Sequence, residues 1–293
     1  MSFNDLKRRA RKGIPDSVRG SAWPILAGSN NFIPTQYTKT YQGKQAWMKT
    51  LLNKELPKKT LQDIFKDITR TLPKHVYFKE DLGTGQKSLF AVLKCLANEF
   101  EDCGYVQGMG FVSGMLMTHV TPEDCFCMMN SLYLKPEYAM KPLYEKGMPG
   151  LEVCFYILLS LMKKYMPKLL NKMIEAGFMP QMYASQWFLT LFAVYFEIDL
   201  VVRIWDIFMV EGFKTIYRFG LAILRLNEKK IMAADLSEMF IIFKDFRNEV
   251  KADLLIKTAL NDFSFSKSQV VKLEKEYKSV KPNKEIATLS KLL

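Results

Sequence analysis

The chain has 293 residues, of which 49% are hydrophobic and 25% charged, and this composition fits one large globular domain or two packed subdomains. No apolar run reaches the ~18 residues that span a bilayer. Five scattered cysteines and two histidines offer little for a Cys/His site, so we expect a reducing compartment and no metal. The net charge of +12 is spread along the chain without a recognised nucleic-acid-binding motif. We therefore expect no nucleic-acid partner, and weak attraction to an anionic membrane surface fits the charge at least as well.

Helical patterns run through nearly the whole chain, and alternating strand patterns bounded by Asn-Gly or Asp-Gly turns are absent. Thr60 resembles the start of a capping box. Further on, Gly110 and Gly114 form a GxxxG pair that predicts close helix packing, and Pro122 after Thr121 predicts the first residue of a helix. Breakers separate the helices at 72–73, 83–85, 147–150 and 177–180. We therefore predict an all-α protein of roughly a dozen or more helices.

The glycines and the proline at 147–150 predict a seam between two subdomains. Because this connection is short, we expect the two halves to pack rather than swing freely. From Ser264 onward the chain is rich in Lys, Glu and Ser. This composition predicts one solvated helix followed by a loose end.

The segment around Arg70 has a spacing that could present a side chain to a partner. Ile64, Asp67 and Arg70 are three residues apart, so on a helix they lie along one side. Pro73 disfavours helix at Leu72, which places Arg70 in the last turn with Asp67 one turn earlier. By spacing alone an ordinary interpretation is simpler, since a cation in the last turn complements the helix dipole and an i,i+3 ion pair adds a little stability.

The second segment places Gln107 between Gly104 and Gly108. Flanking glycines permit unusual backbone geometry and the close approach of another surface, and a neutral amide can both donate and accept hydrogen bonds. Tyr105 could buttress the amide. The ordinary alternative is a glycine-rich helix entry whose glutamine caps local backbone groups.

Five segments in chain order carry a family resemblance. They are 13–26 (GIPDSVRGSAWPIL), 64–71 (IFKDITRT), 105–109 (YVQGM), 183–192 (YASQWFLTLF) and 203–212 (RIWDIFMVEG). Together they resemble the successive motifs of the TBC domain, the catalytic domain of Rab GTPase-activating proteins. The similarity runs from about residue 7 to about residue 226 and continues more weakly to residue 246.

The resemblance implies an all-α fold of two packed helical subdomains. A TBC domain over 7–250 would have its N-terminal, catalytic half at 7–147 and its C-terminal half at 150–250. We assign 251–293 to a charged helical tail that is partly flexible.

The resemblance also implies a mechanism in which two side chains complete the active site of a Rab-family GTPase. Arg70 occupies the position of an arginine finger and Gln107 that of a glutamine finger, both supplied in trans. In the same motifs Asp67 would position Arg70, and Tyr105 would help to place the loop of Gln107. A TBC-fold scaffold that binds a small GTPase without activating it is the alternative.

The remaining expectations follow from this resemblance. The protein would need no cofactor of its own, because GTP and Mg²⁺ arrive with the partner, and it would activate an enzyme rather than be one. We expect a cytoplasmic protein of vesicle trafficking, in peripheral contact with endomembranes. Structural roles are expected for four motif residues: Arg19 and Trp23 would order the N-terminal entry segment, and Trp205 and Asp206 the second subdomain.

Overall fold

The computed structural model describes residues 2–138 and 140–279, and within them it contains seventeen α-helices and no strand. The predicted all-α class is confirmed. The described chain divides into two compact units. Unit 1 consists of the described residues up to Met148 together with Trp205–Val210; unit 2 consists of Pro149–Ile204 and the described residues from Glu211 onward.

The helices of the first part of the chain are α1 (Phe3–Lys12), α2 (Asp16–Ala27), α3 (Tyr41–Leu52), α4 (Lys58–Arg70), α5 (Thr84–Glu99), α6 (Met109–Leu116), α7 (Pro122–Leu134) and α8 (Lys141–Tyr144), with a 3₁₀ turn at Ser29–Phe32. The later helices are α9 (Pro149–Tyr165), α10 (Pro167–Glu175), α11 (Pro180–Tyr183), α12 (Ser185–Leu189), α13 (Ile198–Glu211), α14 (Lys214–Ala233), α15 (Leu236–Glu249), α16 (Ala252–Asn261) and α17 (Lys267–Ser279). Across both described ranges, none of these helices is long and apolar enough to pass through a membrane.

Helix α5 is the centre of unit 1, because α3, α4, α6 and α7 all pack against it. Its apolar residues recur at helical spacing, and Leu89, Val92, Leu93 and Leu96 are fully buried. Helices α4 and α6 also contact each other. The end of α4 and the loop before α6 are therefore held on one common support.

Helix α4 is amphipathic, with Ile64 and Ile68 buried on its inner side. It begins at Lys58 directly after Pro57, and no side chain caps this start. The prediction of a capping box at Thr60 is therefore wrong: Pro57 has its ring-fixed φ of −53°, and the chain is already helical two residues before Thr60.

Two other local predictions are confirmed. Helix α7 begins at Pro122, and the hydroxyl of Thr121 accepts a hydrogen bond from the backbone N–H of Asp124 at 3.2 Å. Close packing at the GxxxG pair is also present, since a Cβ atom on Gly114 would overlap the methyl group of Thr71 after α4. The absence of a side chain at this position lets α6 lie against the end of α4.

Unit 2 has its core around α14, against which α9, α10, α15 and α16 pack. The sequence assigns residues from 251 onward to a charged tail. In the structure α16 packs on α14 with Leu255 and Ala259 fully buried, because its apolar residues fall on one side. Helix α17 has no fully buried residue and contacts α9, where the rings of Tyr277 and Tyr156 lie 5.4 Å apart. The loose end predicted after this helix, 280–293, lies outside the described residues.

Candidate functional site

Arg70 is the last residue of α4, and its side chain is 46% exposed. The backbone leaves the helix at once, because Thr71 is extended and Leu72 has a positive φ of 47°. Pro73 follows, and the residue before a proline is disfavoured from the helical region. This break holds the guanidinium at an exposed helix end.

The carboxylate of Asp67 holds the guanidinium of Arg70. Its Oδ1 atom accepts hydrogen bonds from Nε at 2.9 Å and from Nη2 at 2.6 Å. The Asp67 side chain is only 5% exposed, and its other oxygen accepts from the hydroxyl of Tyr105. Hydrogen bonds between ionised partners are roughly twice as strong as neutral ones. Arg70 is therefore oriented by a buried, fully engaged anion rather than by a mobile surface ion pair.

Tyr105 links the loop before α6 to the end of α4. Burial, followed by the hydrogen bond to Asp67, raises the pKa of Tyr105 well above its ordinary value. The hydroxyl therefore stays protonated and acts as a donor to the carboxylate. Gly110 lies beside this contact, since a Cβ atom there would come within 3.3 Å of the Tyr105 hydroxyl.

Gln107 follows on the same loop and contacts Arg70 directly. With the amide oriented by its hydrogen-bonding partners, its Oε1 atom accepts from Nη2 at 2.6 Å and from Nη1 at 3.3 Å. Gly108, the next residue, has φ 117°, and α6 begins immediately after it. The two side chains that the sequence singled out separately thus meet in one hydrogen-bonded pair.

These side chains line one open cavity of about 430 Å³. Its lining residues are Asp63, Lys66, Asp67, Arg70, Tyr105 and Gln107. The cavity presents a guanidinium, an ammonium and a carboxamide beside two carboxylates, of which Asp63 pairs with Lys66 at 3.6 Å and the buried Asp67 pairs with Arg70. The half-exposed guanidinium is the group best suited to meet an oxyanion of a partner. Within residues 2–138 and 140–279, no three His, Cys, Asp or Glu side chains come together as ligands for a metal ion.

The sequence did not single out two neighbours of Arg70. Lys66 lies four residues before it on the same helix, so i,i+4 spacing could have identified it. Phe111 lies beneath the guanidinium, with the Cζ atom of Arg70 5.3 Å from the ring centroid, a cation–π contact. That contact depends on how α6 packs against α4, and no local pattern predicts it.

The four residues expected to have structural roles form one cluster in unit 1. The carboxylate of Asp206 is fully buried and accepts four hydrogen bonds: from the backbone N–H of Ile14 at 2.8 Å, from Nε and Nη2 of Arg19 at 3.0 and 3.1 Å, and from Nε1 of Trp23 at 2.9 Å. The rings of Trp23 and Trp205 lie 5.8 Å apart. Assigning Trp205 and Asp206 to the second subdomain is therefore wrong, because Asp206 is the counter-ion of an arginine 187 residues earlier.

Comparison with known proteins identifies similar chains. The sequence profile described as Rab-GTPase-TBC domain matches residues 16–232. The human "Ecotropic viral integration site 5 protein homolog" is 32% identical over 280 residues, which cover 94% of this chain and 33% of that protein. The "Rab GTPase-activating protein tbc-11" of Caenorhabditis elegans is 32% identical over 276 residues, which cover 92% of this chain and 28% of that protein. The chain thus spans about a third of the length of these relatives.

Two solved structures share the fold. The Chlamydomonas flagellar RabGAP TBC domain superposes with a TM-score of 0.71 at 24% identity, covering 89% of this chain and 84% of that one. The Ypt/Rab-GAP domain of Gyp1p superposes with a TM-score of 0.70 at 19% identity, covering 94% of both chains. At these identities the likeness concerns the fold alone.

Proposed function

This chain belongs to the Rab-GTPase-TBC domain family, and we propose that it stimulates GTP hydrolysis by a Rab-type small GTPase. Two relatives carry that activity in their names, the Rab GTPase-activating proteins tbc-11 and eat-17 of Caenorhabditis elegans. The observation that carries the proposal is the pairing of an exposed arginine with a glutamine at one open cavity, both anchored through a buried carboxylate.

Arg70 acts as the arginine finger. GTP hydrolysis builds negative charge on the phosphoryl oxygens, and a guanidinium placed there stabilises the transition state. Such a finger contributes ~10³–10⁵ in rate, which corresponds to about 4–7 kcal/mol of barrier. Asp67 is a positioning residue, since it binds the guanidinium from the protein side and leaves the exposed part free to enter the partner's nucleotide site.

Gln107 orients the attacking water. Its amide oxygen has two acceptor positions, and both face Arg70 in the free chain, at 2.6 and 3.3 Å. Release of the longer bond leaves one position on Arg70 and lets the other accept from the water, while the NH₂ group can donate to a phosphoryl oxygen. Tyr105 is again a positioning residue, because its bond to Asp67 fixes the loop that carries Gln107. The two fingers would enter the GTPase as one preassembled unit.

The chemistry needs no cofactor bound to this chain. GTP and Mg²⁺ belong to the partner, and the chain supplies side chains that complete the partner's active site. It is in this sense an activator of an enzyme rather than an enzyme with a substrate of its own. A cytoplasmic location with peripheral contact to endomembranes, in vesicle trafficking, fits such a partner, and the +12 charge favours weak attraction to anionic lipid. We propose that nucleic acid is not among the partners of this chain.

The proposal is tested by measuring GTP hydrolysis across a panel of Rab GTPases with the wild-type chain and with Arg70→Lys. We expect strong stimulation of at least one Rab by the wild type and loss of nearly all of it in the variant. An ammonium group cannot make the forked contacts that Arg70 makes with Asp67 and Gln107.

Two outcomes would contradict this assignment. Wild-type rates from the Arg70→Lys variant would exclude a finger role for Arg70. Tight binding of a GTP-loaded Rab without faster hydrolysis would instead identify a scaffold of the same fold.

A further inference from the structure

A second cavity, which we call the α4 groove, lies between α4 and α5 and has a volume of about 510 Å³. Its lining residues are Lys58, Leu61, Gln62, Phe65, Lys66 and Phe90. Leu61, Phe65 and Phe90 give it an apolar floor, while Lys58 and Lys66 give it a basic edge. An apolar concave surface with a few polar groups is the usual form of a recognition site.

The ring of Phe65 is 48% exposed, whereas Ile64 and Ile68 of the same helix are buried. Ile64 and Ile68 already cover the side of α4 that packs on α5, so the core does not require an aromatic residue at position 65. Aromatic side chains are enriched among the residues that dominate the affinity of protein interfaces. Phe65 therefore has the character of a contact residue.

The α4 groove is a neighbour of the cavity of Arg70 and Gln107, because Lys66 lines both. Phe65 lies five residues before Arg70, which is roughly 7.5 Å along the helix axis. A protein interface of standard size covers roughly 800 Å² on each partner, a patch roughly 30 Å across. A GTPase whose nucleotide site receives Arg70 is therefore large enough to reach the groove as well.

We propose that the α4 groove is a docking site for the GTPase partner and receives an apolar side chain of the GTPase flanked by carboxylates. The apolar group contacts Phe65. The carboxylates meet Lys58 and also Lys66, whose exposed 3.6 Å pair with Asp63 gives way to the partner. This inference rests on the proposed function and adds that affinity and choice among GTPases are determined in part here, apart from the chemistry at Arg70. Phe65 is a specificity residue and touches no reacting atom.

The experiment measures stimulated GTP hydrolysis against GTPase concentration, together with direct titration of binding to the GTP-loaded GTPase panel. For Phe65→Ala we expect KM and the dissociation constant to rise about ten-fold, with kcat within two-fold of the wild type. Lys58→Glu should also raise KM and should weaken the salt dependence of association, because the steering charge is reversed. Phe3→Ala on α1, where the ring is 58% exposed, makes the same chemical change outside the groove and should leave both constants unchanged.

The outcomes separate this inference from the proposed function. If the wild type stimulates a Rab and Phe65→Ala has a normal KM, the groove inference is wrong and the finger assignment stands. If the GTPase binds without being stimulated, the proposed function is wrong, and the effect of Phe65→Ala on the dissociation constant still decides the groove. If the wild type sediments as a dimer and Phe65→Ala as a monomer with an unchanged KM, a second copy of this chain occupies the groove and the docking proposal is wrong. A panel with neither binding nor stimulation overturns both ideas.

Discussion

Replacing Asp67 by Asn is the most direct test of how Arg70 is positioned. An asparagine can keep its oxygen toward Arg70 and turn its amide nitrogen toward Tyr105, so the shape of the site is preserved while the charge is lost. Two bonds between ionised partners, at 2.9 and 2.6 Å, then keep the charged donor and lose the charged acceptor. Each such bond contributes about 1.5–3 kcal/mol, and a loss of about half of that, the difference from a fully neutral bond, is the upper limit for each.

The two bonds together therefore lose at most about 1.5–3 kcal/mol, because the guanidinium keeps its charge. Arg70 is half exposed, so solvent screens part of the difference and we expect about 1–2 kcal/mol. If that loss falls on the transition state, kcat decreases roughly 5- to 30-fold. KM should change little, because Asp67 is buried and does not reach the partner.

The assay is single-turnover GTP hydrolysis by the most responsive Rab at several concentrations of the variant. Asp5→Asn is the matched control, since Asp5 forms the same i,i+3 pair with Arg8 at 3.6 Å on the exposed surface of α1. The control should retain wild-type kcat. A kcat for Asp67→Asn above half the wild-type value, or a change confined to KM, would refute the reasoning.

Three further predictions concern the packing that supports the site. Asp206→Asn should lower the free energy of unfolding in urea by about 3 kcal/mol, the lower end for a broken buried pair, because Arg19 loses its buried carboxylate partner and keeps only the exposed Asp16 at 2.6 Å. A loss below about 1 kcal/mol would contradict this. Gly114→Ala should lower the free energy of unfolding by about 1–3 kcal/mol, because the new methyl group would overlap that of Thr71. Thr71 cannot turn its methyl group away without breaking the 2.7 Å hydrogen bond from its hydroxyl to the carbonyl of Asp67. Unchanged stability would mean that this contact relaxes freely. Burial raises the pKa of three thiols, those of Cys95, Cys127 and Cys154, to about 12. At pH 8 these thiols should therefore be protonated and resist a thiol reagent until urea unfolds the chain. Rapid labelling of these three thiols in the native protein would argue against their burial.

The features that the sequence predicted well are those determined within a few residues. Pro73 restricts the residue before it, and α4 accordingly ends at Arg70. Thr121 and Pro122 satisfy the first turn of α7 by themselves, and that helix begins as expected. The capping box at Thr60 failed because the proline before Lys58 had already started the helix without any side-chain cap.

The features that could not be predicted depend on contacts between distant segments. The hydrogen bonds between Gln107 and Arg70 require α6 to lie against the end of α4, and that geometry follows from how both helices pack on α5. The same packing places Phe111 beneath the guanidinium. Charge patterns gave no sign that Asp206 is the acceptor for Arg19, since the two are 187 residues apart. Local pattern thus predicted which side chains matter and where helices end, but not which side chains meet.

The inclusion of Trp205–Val210 in unit 1 has a consequence for the order in which the chain can fold as it is synthesised. When the ribosome has completed Met148, every helix from α1 to α8 has emerged or is about to emerge, yet the acceptor for Arg19 and Trp23 does not exist. Until Asp206 has left the ribosome the guanidinium has only the exposed Asp16 as a carboxylate partner, and by the time its buried partner arrives much of unit 2 is already present. A gene truncated after Met148 would encode the complete pair of fingers on a unit in which Arg19 and Trp23 lack the carboxylate that accepts their hydrogen bonds in the whole chain.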